Sequence, residues 1–125
     1  MADATMDMLE AFAAAWNRHD LDAIMNLSSP DCEFWASAGP DVEGARAVGR
    51  DAVAKAYQAV FDTFPDAQWT KGRITLIDAT RGLSEWTFVG TSVDGKRVEV
   101  LGLDLLDLHD GKVRIKNSFR KNRVG

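Results

Sequence analysis

The chain has 125 residues, of which 46% are hydrophobic and 27% charged, and its formal net charge is −4 at pH 7. This length and composition predict a single globular domain over residues 1–125. The negative charge does not favour nucleic acids or anionic membranes as partners, and no apolar run approaches the roughly 20 residues of a membrane span.

Cysteine and histidine are scarce. Cys32 is the single cysteine, so no intramolecular disulfide can form. The first residues lack the basic stretch and apolar run of a secretion signal, and we therefore expect a cytoplasmic location. Cys32, His19 and His109 do not have the spacing of metal ligands, so we expect no metal site.

Residues 6–17 carry apolar side chains at spacings of three and four, which predicts an amphipathic first helix. Asp20 has the side chain of a good helix N-cap and precedes a second, short helix that extends to about Leu27. Pro30 disfavours helical backbone in the residue before it, so this second helix ends in that region.

The middle of the chain combines one strand with the longest helix. Residues 31–37 have the composition of a strand, and residues 39–49 read as a polar, glycine-containing loop. Residues 51–64 carry the apolar stripe of a helix that packs on a core, and Pro65 ends this helix.

The second half of the chain predicts only strands, joined by tight turns. Asp-Gly pairs at residues 94–95 and 110–111 are strong hairpin signals. Because helices and strands are segregated along the chain, we predict an α+β fold with the helices on one face of a curved sheet. The expected strands cover about residues 67–78, 81–93, 96–109 and 112–121.

Asp104 is the strongest candidate for a functional residue. Strand alternation puts it on the same face as Val100 and Leu106, whereas Leu103 and Leu105 take the other face. A carboxylate in such an apolar row is disfavoured in its charged form unless a cation or a hydrogen-bond donor lies beside it. Such a group can act as a general acid, a general base or a donor. The alternative is a structural aspartate bonded to a neighbouring strand.

The turn at residues 109–111 decides which residue faces Asp104. A three-residue loop places Lys116 opposite Asp104, whereas a two-residue loop places Asn117 there. A slip of one residue would exchange the two faces of the strand. We favour the first register because it puts three polar side chains beside Asp104, namely Lys116, Ser118 and Arg120.

The same register gathers apolar side chains on the other face of the sheet. An apolar patch of this size is too large to remain in contact with water on a soluble protein. We therefore predict a homodimer that covers the patch. Its members are Leu101, Leu103, Leu105, Ile115 and Phe119.

Three aromatic residues, Trp16, Tyr57 and Trp86, are further candidates for a ligand pocket. Each joins a large apolar surface to a polar atom that needs a partner when buried. We expect them to border one cavity with Asp104, between the helices and the sheet. For each of the three, plain core packing is the alternative.

Four segments together resemble a known group of proteins: residues 16–24 (WNRHDLDAI), 49–51, 102–104 and 110–113. Their order and spacing are similar to those of the nuclear transport factor 2-like superfamily. Within it, the chain resembles the SnoaL-like polyketide cyclases and their ketosteroid-isomerase-like relatives. The resemblance implies a cone-shaped, cystatin-like fold with three helices packed on a curved, mainly antiparallel sheet. It also implies a deep apolar pocket and usually a dimer.

The resemblance further implies a role for Asp104. In the cyclases the aspartate at this position is the acid/base, and in the isomerases it is the protonated donor of the oxyanion hole. Tyr57 matches a tyrosine that lines the isomerase pocket. The chain departs from the isomerases at Phe12 and Ala36, where they carry an oxyanion-hole tyrosine and a proton-shuttling aspartate. Ser92 stands near the position of a cyclase histidine.

Two functions fit these features. The first is a cofactor-independent acid/base enzyme of the cyclase, isomerase or dehydratase class that acts on a small, largely apolar carbonyl compound. Asp104 would transfer the proton, and Lys116, Arg120 or Tyr57 would stabilise the developing oxyanion. The second is a non-catalytic ligand-binding or dimeric interaction domain, with Asp104 held by Lys116. A free edge of Asp104 toward the pocket distinguishes the first function from the second.

Overall fold

The computed structural model describes residues 5–124, which form three helices and six strands. The helices are α1 (Met6–Asn17), α2 (Leu21–Asn26) and α3 (Arg50–Thr63). The strands are β1 (Ser28–Trp35), β2 (Arg46–Val48), β3 (Gln68–Asp78), β4 (Arg81–Thr91), β5 (Arg97–His109) and β6 (Lys112–Arg120). Within residues 5–124, no helix has both the length and the apolar character that crossing a bilayer requires.

All six strands belong to one sheet, in the order β2-β1-β6-β5-β4-β3. Neighbouring strands are antiparallel except β1 and β6, which are parallel. The helices cover one face of this curved sheet, and the main core lies between the two layers. The predicted α+β fold, with three helices on a mainly antiparallel sheet, is confirmed.

Two predictions for the middle of the chain need correction. The strand expected at residues 31–37 lies at Ser28–Trp35, and residues 39–49, expected as a loop, contain β2. A strand of three residues carries too little alternation to be recognised in a sequence. Pro30 fits inside β1 because the β1–β6 pairing is interrupted between Ser28 and Glu33, where no ladder N–H is required.

Polar side chains fix the ends of the first two helices. The Asp20 carboxylate accepts a hydrogen bond from the Ala23 N–H at 3.1 Å, so the predicted N-cap is confirmed. The Asn17 side chain joins the end of α1 to β3, because its Oδ1 accepts from the Trp69 N–H at 2.8 Å and its Nδ2 donates to the Trp69 carbonyl at 3.2 Å. This bridge holds Trp16 beside Trp69, with ring centroids 5.3 Å apart.

The turn between β5 and β6 differs from the turn that we favoured. It has two residues, Asp110 and Gly111, and His109 pairs with Lys112. Both turn residues have positive φ, 51° and 72°, as a type I′ hairpin requires. The Asp-Gly sequence therefore selects the shorter turn.

A bulge in β6 then changes the register a second time. Arg114 is an extra residue, so the pairing shifts by one position and Ser118 lies opposite Asp104. Neither Lys116 nor Asn117 takes that position, and both predicted registers are wrong. The turn and the bulge together shift the strand by two residues, which preserves the faces. The three polar residues therefore remain on the Asp104 side of the sheet, as predicted.

Candidate functional site

Asp104 lies on the helix-covered face of β5 and is 6% exposed. Three donors contact its carboxylate. Lys116 Nζ lies 3.2 Å from Oδ1, and Ser118 Oγ donates to the same oxygen at 2.6 Å. Trp86 Nε1 donates to Oδ2 at 3.0 Å. A cation and two neutral donors therefore compensate for the loss of water around the carboxylate.

Lys116 is equally buried, and its ammonium group has further partners besides that carboxylate. It donates to Ser118 Oγ at 2.9 Å. It also lies over three aromatic rings, with Nζ 4.5 Å from the centroid of Trp16, 4.9 Å from Phe34 and 5.8 Å from Tyr57. Removing a cation from water costs several kcal/mol, and the carboxylate and ring faces offset this cost.

Trp86 reaches Asp104 because Gly102 has no side chain. Trp86 on β4 and Gly102 on β5 lie directly opposite each other. A Cβ atom on Gly102 would lie 2.3 Å from Cζ3 of Trp86 and 2.6 Å from the Phe119 carbonyl oxygen. The indole therefore packs against bare backbone, and this position brings its Nε1 to the carboxylate.

Two chambers lie between the helices and the sheet, and both are lined by Trp16, Trp69, Trp86 and Lys116. The Asp104 chamber has a volume of about 150 Å³, and its other walls include Leu9, Phe12, Asn17, Ile74, Ser84, Glu85, Asp104 and Leu106. The Arg120 chamber has a volume of about 300 Å³, and its other walls include Phe34, Val60, Phe64, Phe88, Ser118 and Arg120. A dry cavity of roughly 150 Å³ can hold a molecule of the size of benzene. Within residues 5–124, no three His, Cys, Asp or Glu side chains are placed to hold a metal ion.

Five of the six predicted binding residues lie at these chambers, namely Trp16, Trp86, Lys116, Ser118 and Arg120. The sixth, Tyr57, lies behind Trp16, with ring centroids 4.7 Å apart, and does not line either chamber. Burial raises the pKa of the Tyr57 phenol well above its usual value, so the hydroxyl stays protonated at neutral pH.

Trp69 lines both chambers and was not among the predicted binding residues. Alternation along β3 is interrupted by a bulge, because Thr70 pairs with Thr87 whereas Arg73 pairs with Glu85. This extra residue puts Trp69 on the same face as the apolar residues of the second half of the strand. In the sequence, Trp69 lies five residues before Ile74, and strict alternation would place residues at this odd spacing on opposite faces.

The indole N–H of Trp16 is a buried donor with no acceptor among the described residues. Leaving such a group unpaired costs about 1–3 kcal/mol, and an unpaired buried donor in a native protein calls for a water or ligand partner. The ring that carries this N–H lines both chambers.

The sequence profile of the SnoaL-like domain matches residues 9–115. No curated protein matches the chain. Among solved structures, a candidate polyketide cyclase from Xanthomonas campestris pv. campestris is 23% identical, with 93% of this chain and 88% of that chain covered and a TM-score of 0.79. A protein of unknown function with a cystatin-like fold from Xanthomonas campestris is 17% identical, with coverages of 95% and 92% and a TM-score of 0.82. An NTF2-like protein from Burkholderia xenovorans LB400 is 15% identical, with coverages of 92% and 87% and a TM-score of 0.76.

At these identities the structural likeness is a likeness of fold. The profile match is of a different kind, because it covers the sequence from α1 to β6 and includes Asp104. The chain therefore belongs to the SnoaL-like domain family.

Proposed function

We propose that this protein binds a small, largely apolar carbonyl compound and catalyses a cofactor-independent acid/base reaction on it, with Asp104 as the group that transfers the proton. One observation carries the proposal: a buried carboxylate–ammonium pair forms part of the wall of a chamber between the helices and the sheet. Charged groups are rarely kept in such a place unless they are paired, and their presence beside a cavity is typical of functional sites.

The hydrogen bonds of Asp104 leave capacity for a reacting group. An ionised carboxylate has about four acceptor positions. Lys116 and Ser118 both contact Oδ1, whereas Trp86 is the donor to Oδ2. Oδ2 therefore retains one acceptor position, which can take a proton from a carbon atom next to the carbonyl group of the substrate.

The developing enolate oxygen needs donors. Lys116 and Trp16 line the same chamber as Asp104, and in this proposal the Lys116 ammonium and the Trp16 N–H, which has no acceptor among the described residues, supply them. The proton on Asp104 then returns to a different carbon in an isomerisation. In an aldol cyclisation, the enolate carbon instead attacks a second carbonyl, whose oxygen takes the proton. In a dehydration, the proton leaves with the departing hydroxyl as water.

A non-catalytic ligand-binding domain is the second candidate function. It is favoured by the same three donors on Asp104, because a carboxylate held by a cation and two hydrogen bonds can have the purely structural role of neutralising Lys116. Both candidates require ligand binding, and only the first requires proton transfer by Asp104.

The first test is therefore binding combined with turnover. β-Tetralone, an apolar bicyclic ketone, should quench the fluorescence of the three tryptophans that line the chambers. Asp104→Asn should retain this binding and lose turnover of the ketone, measured as the exchange of its α-hydrogens for deuterium. Binding with equal turnover in both proteins would contradict the catalytic role, and an absence of binding would contradict the pocket.

We also propose a homodimer through the outer face of the sheet, and a cytoplasmic location that suits the free thiol of Cys32. Leu101 and Phe119 are 61% and 49% exposed, and Leu103 and Leu105 are partly exposed beside them. Ile115, the fifth residue of the predicted patch, is buried within the monomer. Sedimentation of the protein at micromolar concentration should give the mass of two chains, whereas Leu101→Lys should give one. A wild-type monomer at that concentration would contradict the dimer.

A further inference from the structure

The two chambers differ in the charges of their walls. The Asp104 chamber contains Asp104 and Glu85 together with Lys116. Among the described residues, the Arg120 chamber is lined by two cations, Lys116 and Arg120, and by no carboxylate. Since the charge of Lys116 is offset by Asp104 behind it, Arg120 gives the larger chamber a positive end.

Arg120 is the exception among the arginines of residues 5–124. Each of the other eight has a carboxylate within 4.0 Å or donates to a backbone carbonyl. Arg120 has neither kind of partner within those residues. Its guanidinium carbon instead lies 5.2 Å from the centroid of the Phe88 ring. Five N–H donors are therefore available to a molecule that enters the chamber.

The surroundings of Arg120 make an anion more favourable there than on the open surface. The side chain is exposed, and the protein atoms around it still lower the pKa of the guanidinium below its usual value by partial desolvation. A partly desolvated cation gains more from a bound anion than a hydrated one does. The nearby walls of the chamber are aromatic, and the rings of Phe64 and Phe88 pack edge to face with their centroids 5.2 Å apart.

We propose that the ligand of this site is an amphipathic acid, with an apolar body inside the chambers and a carboxylate bound by Arg120. The inference rests on the proposed function, because it concerns the molecule that the same site binds. An aromatic chamber with one guanidinium that has no carboxylate partner among the described residues complements a molecule with an apolar end and an anionic end.

The sheet places Arg120 and Asp104 close together on the same face. Arg120 pairs with Gly102, which lies two residues from Asp104 on the same face of β5. At about 3.3 Å per residue, the backbone positions are roughly 7 Å apart along the strand. One ligand molecule could therefore contact both side chains.

Naphthoate and naphthamide test this inference, because they have almost the same shape and differ in charge. Calorimetric titration should show that the wild-type protein binds naphthoate more tightly. Arg120→Met should weaken naphthoate binding by about tenfold or more, as expected for the loss of charge-assisted hydrogen bonds, and should leave naphthamide binding within about twofold. Arg123→Met is the matched control, since Arg123 contacts the Glu99 carbonyl and lies outside both chambers; it should change neither affinity.

Several outcomes would overturn the inference. These are equal affinity of the wild-type protein for the two probes, no binding of either, or an equal loss of both in Arg120→Met, which would assign Arg120 a packing role. Arg120→Gln, which keeps polar donors without the charge, should repeat the selective loss if Arg120→Met does not fold. The acid/base proposal is tested separately by turnover of a neutral ketone, so a failure of one does not imply a failure of the other.

Discussion

Lys116 Nζ lies 3.2 Å from Asp104 Oδ1, and the two side chains are 7% and 9% exposed. They come from neighbouring antiparallel strands, but they are not cross-strand partners, because Ser118 takes the position opposite Asp104. Ser118 Oγ bonds to both charged groups and completes a closed triangle. The pair therefore joins β5 to β6 at the wall of the Asp104 chamber, and each buried charge is compensated by the other.

Removing one member of this pair should destabilise the fold. Asp104→Asn leaves the Lys116 ammonium buried without a counter-charge, and breaking a buried pair costs about 3–5 kcal/mol. Lys116→Met in the same chain should recover most of this loss, because no charge then remains. Urea unfolding of the wild-type protein, Asp104→Asn, Lys116→Met and the double variant measures the coupling free energy between the two side chains. Equal stability of Asp104→Asn and the wild-type protein would contradict this account of the pair.

Gly102→Ala should displace Trp86. The added methyl group would meet the indole at 2.3 Å and the Phe119 carbonyl oxygen at 2.6 Å, and backbone cannot move away cheaply. We expect a loss of about 1–3 kcal/mol in the free energy of unfolding and a change in tryptophan fluorescence, since Nε1 loses its carboxylate. Gly72→Ala is the control: the nearest atom to its methyl group lies 4.0 Å away. If both variants behaved alike, the close approach of Trp86 to β5 would be refuted.

Glu33 predicts a dependence of stability on pH. It is buried on β1 and accepts hydrogen bonds from Arg46 Nε at 2.8 Å and Trp35 Nε1 at 3.0 Å. The Arg46 hydrogen bond holds the pKa of the Glu33 carboxyl below its usual value of 4.5. Because the folded-state pKa is the lower one, the stabilisation is present above pH 4.5 and disappears as the pH falls through the folded-state value.

Glu33→Gln should therefore lower stability at pH 7 by about 1–3 kcal/mol, and this difference should shrink at acidic pH. Glu10→Gln is the control, since Glu10 is exposed and has no ion pair within residues 5–124. Thermal unfolding of the wild-type protein and the two variants at several pH values measures these differences in stability. A destabilisation by Glu33→Gln that stays constant from pH 7 to pH 3 would argue against the ion pair.

Much of the fold follows from local patterns in the sequence. The stripe of α1, the Asp20 cap and the Asp-Gly turns each act over a few residues, and the structure contains all of them. The face of Asp104 is also a local property, because alternation along a strand has a period of two. This is why its burial could be predicted, whereas the residue directly opposite it on β6 could not.

The rest depends on contacts between distant parts of the chain. The register beside Asp104 is set by a bulge at Arg114, and a second bulge in β3 concealed Trp69; neither has a sequence signature of its own. The ring of Phe34 reaches the Lys116 ammonium because β1 and β6 pair in parallel, a pairing between segments about 80 residues apart.

The exchange of α-hydrogens in deuterated water tests proton transfer by Asp104 most directly. β-Tetralone has acidic hydrogens next to its carbonyl group, and NMR follows their replacement by deuterium without knowledge of the natural substrate. The wild-type protein should accelerate exchange above the rate in buffer. Asp104→Asn should reduce this acceleration by about a hundredfold or more, the usual range for general base catalysis, while fluorescence quenching shows that the ketone still binds. Exchange at the buffer rate with the ketone bound to the wild-type protein, or the same acceleration in Asp104→Asn, would contradict the account.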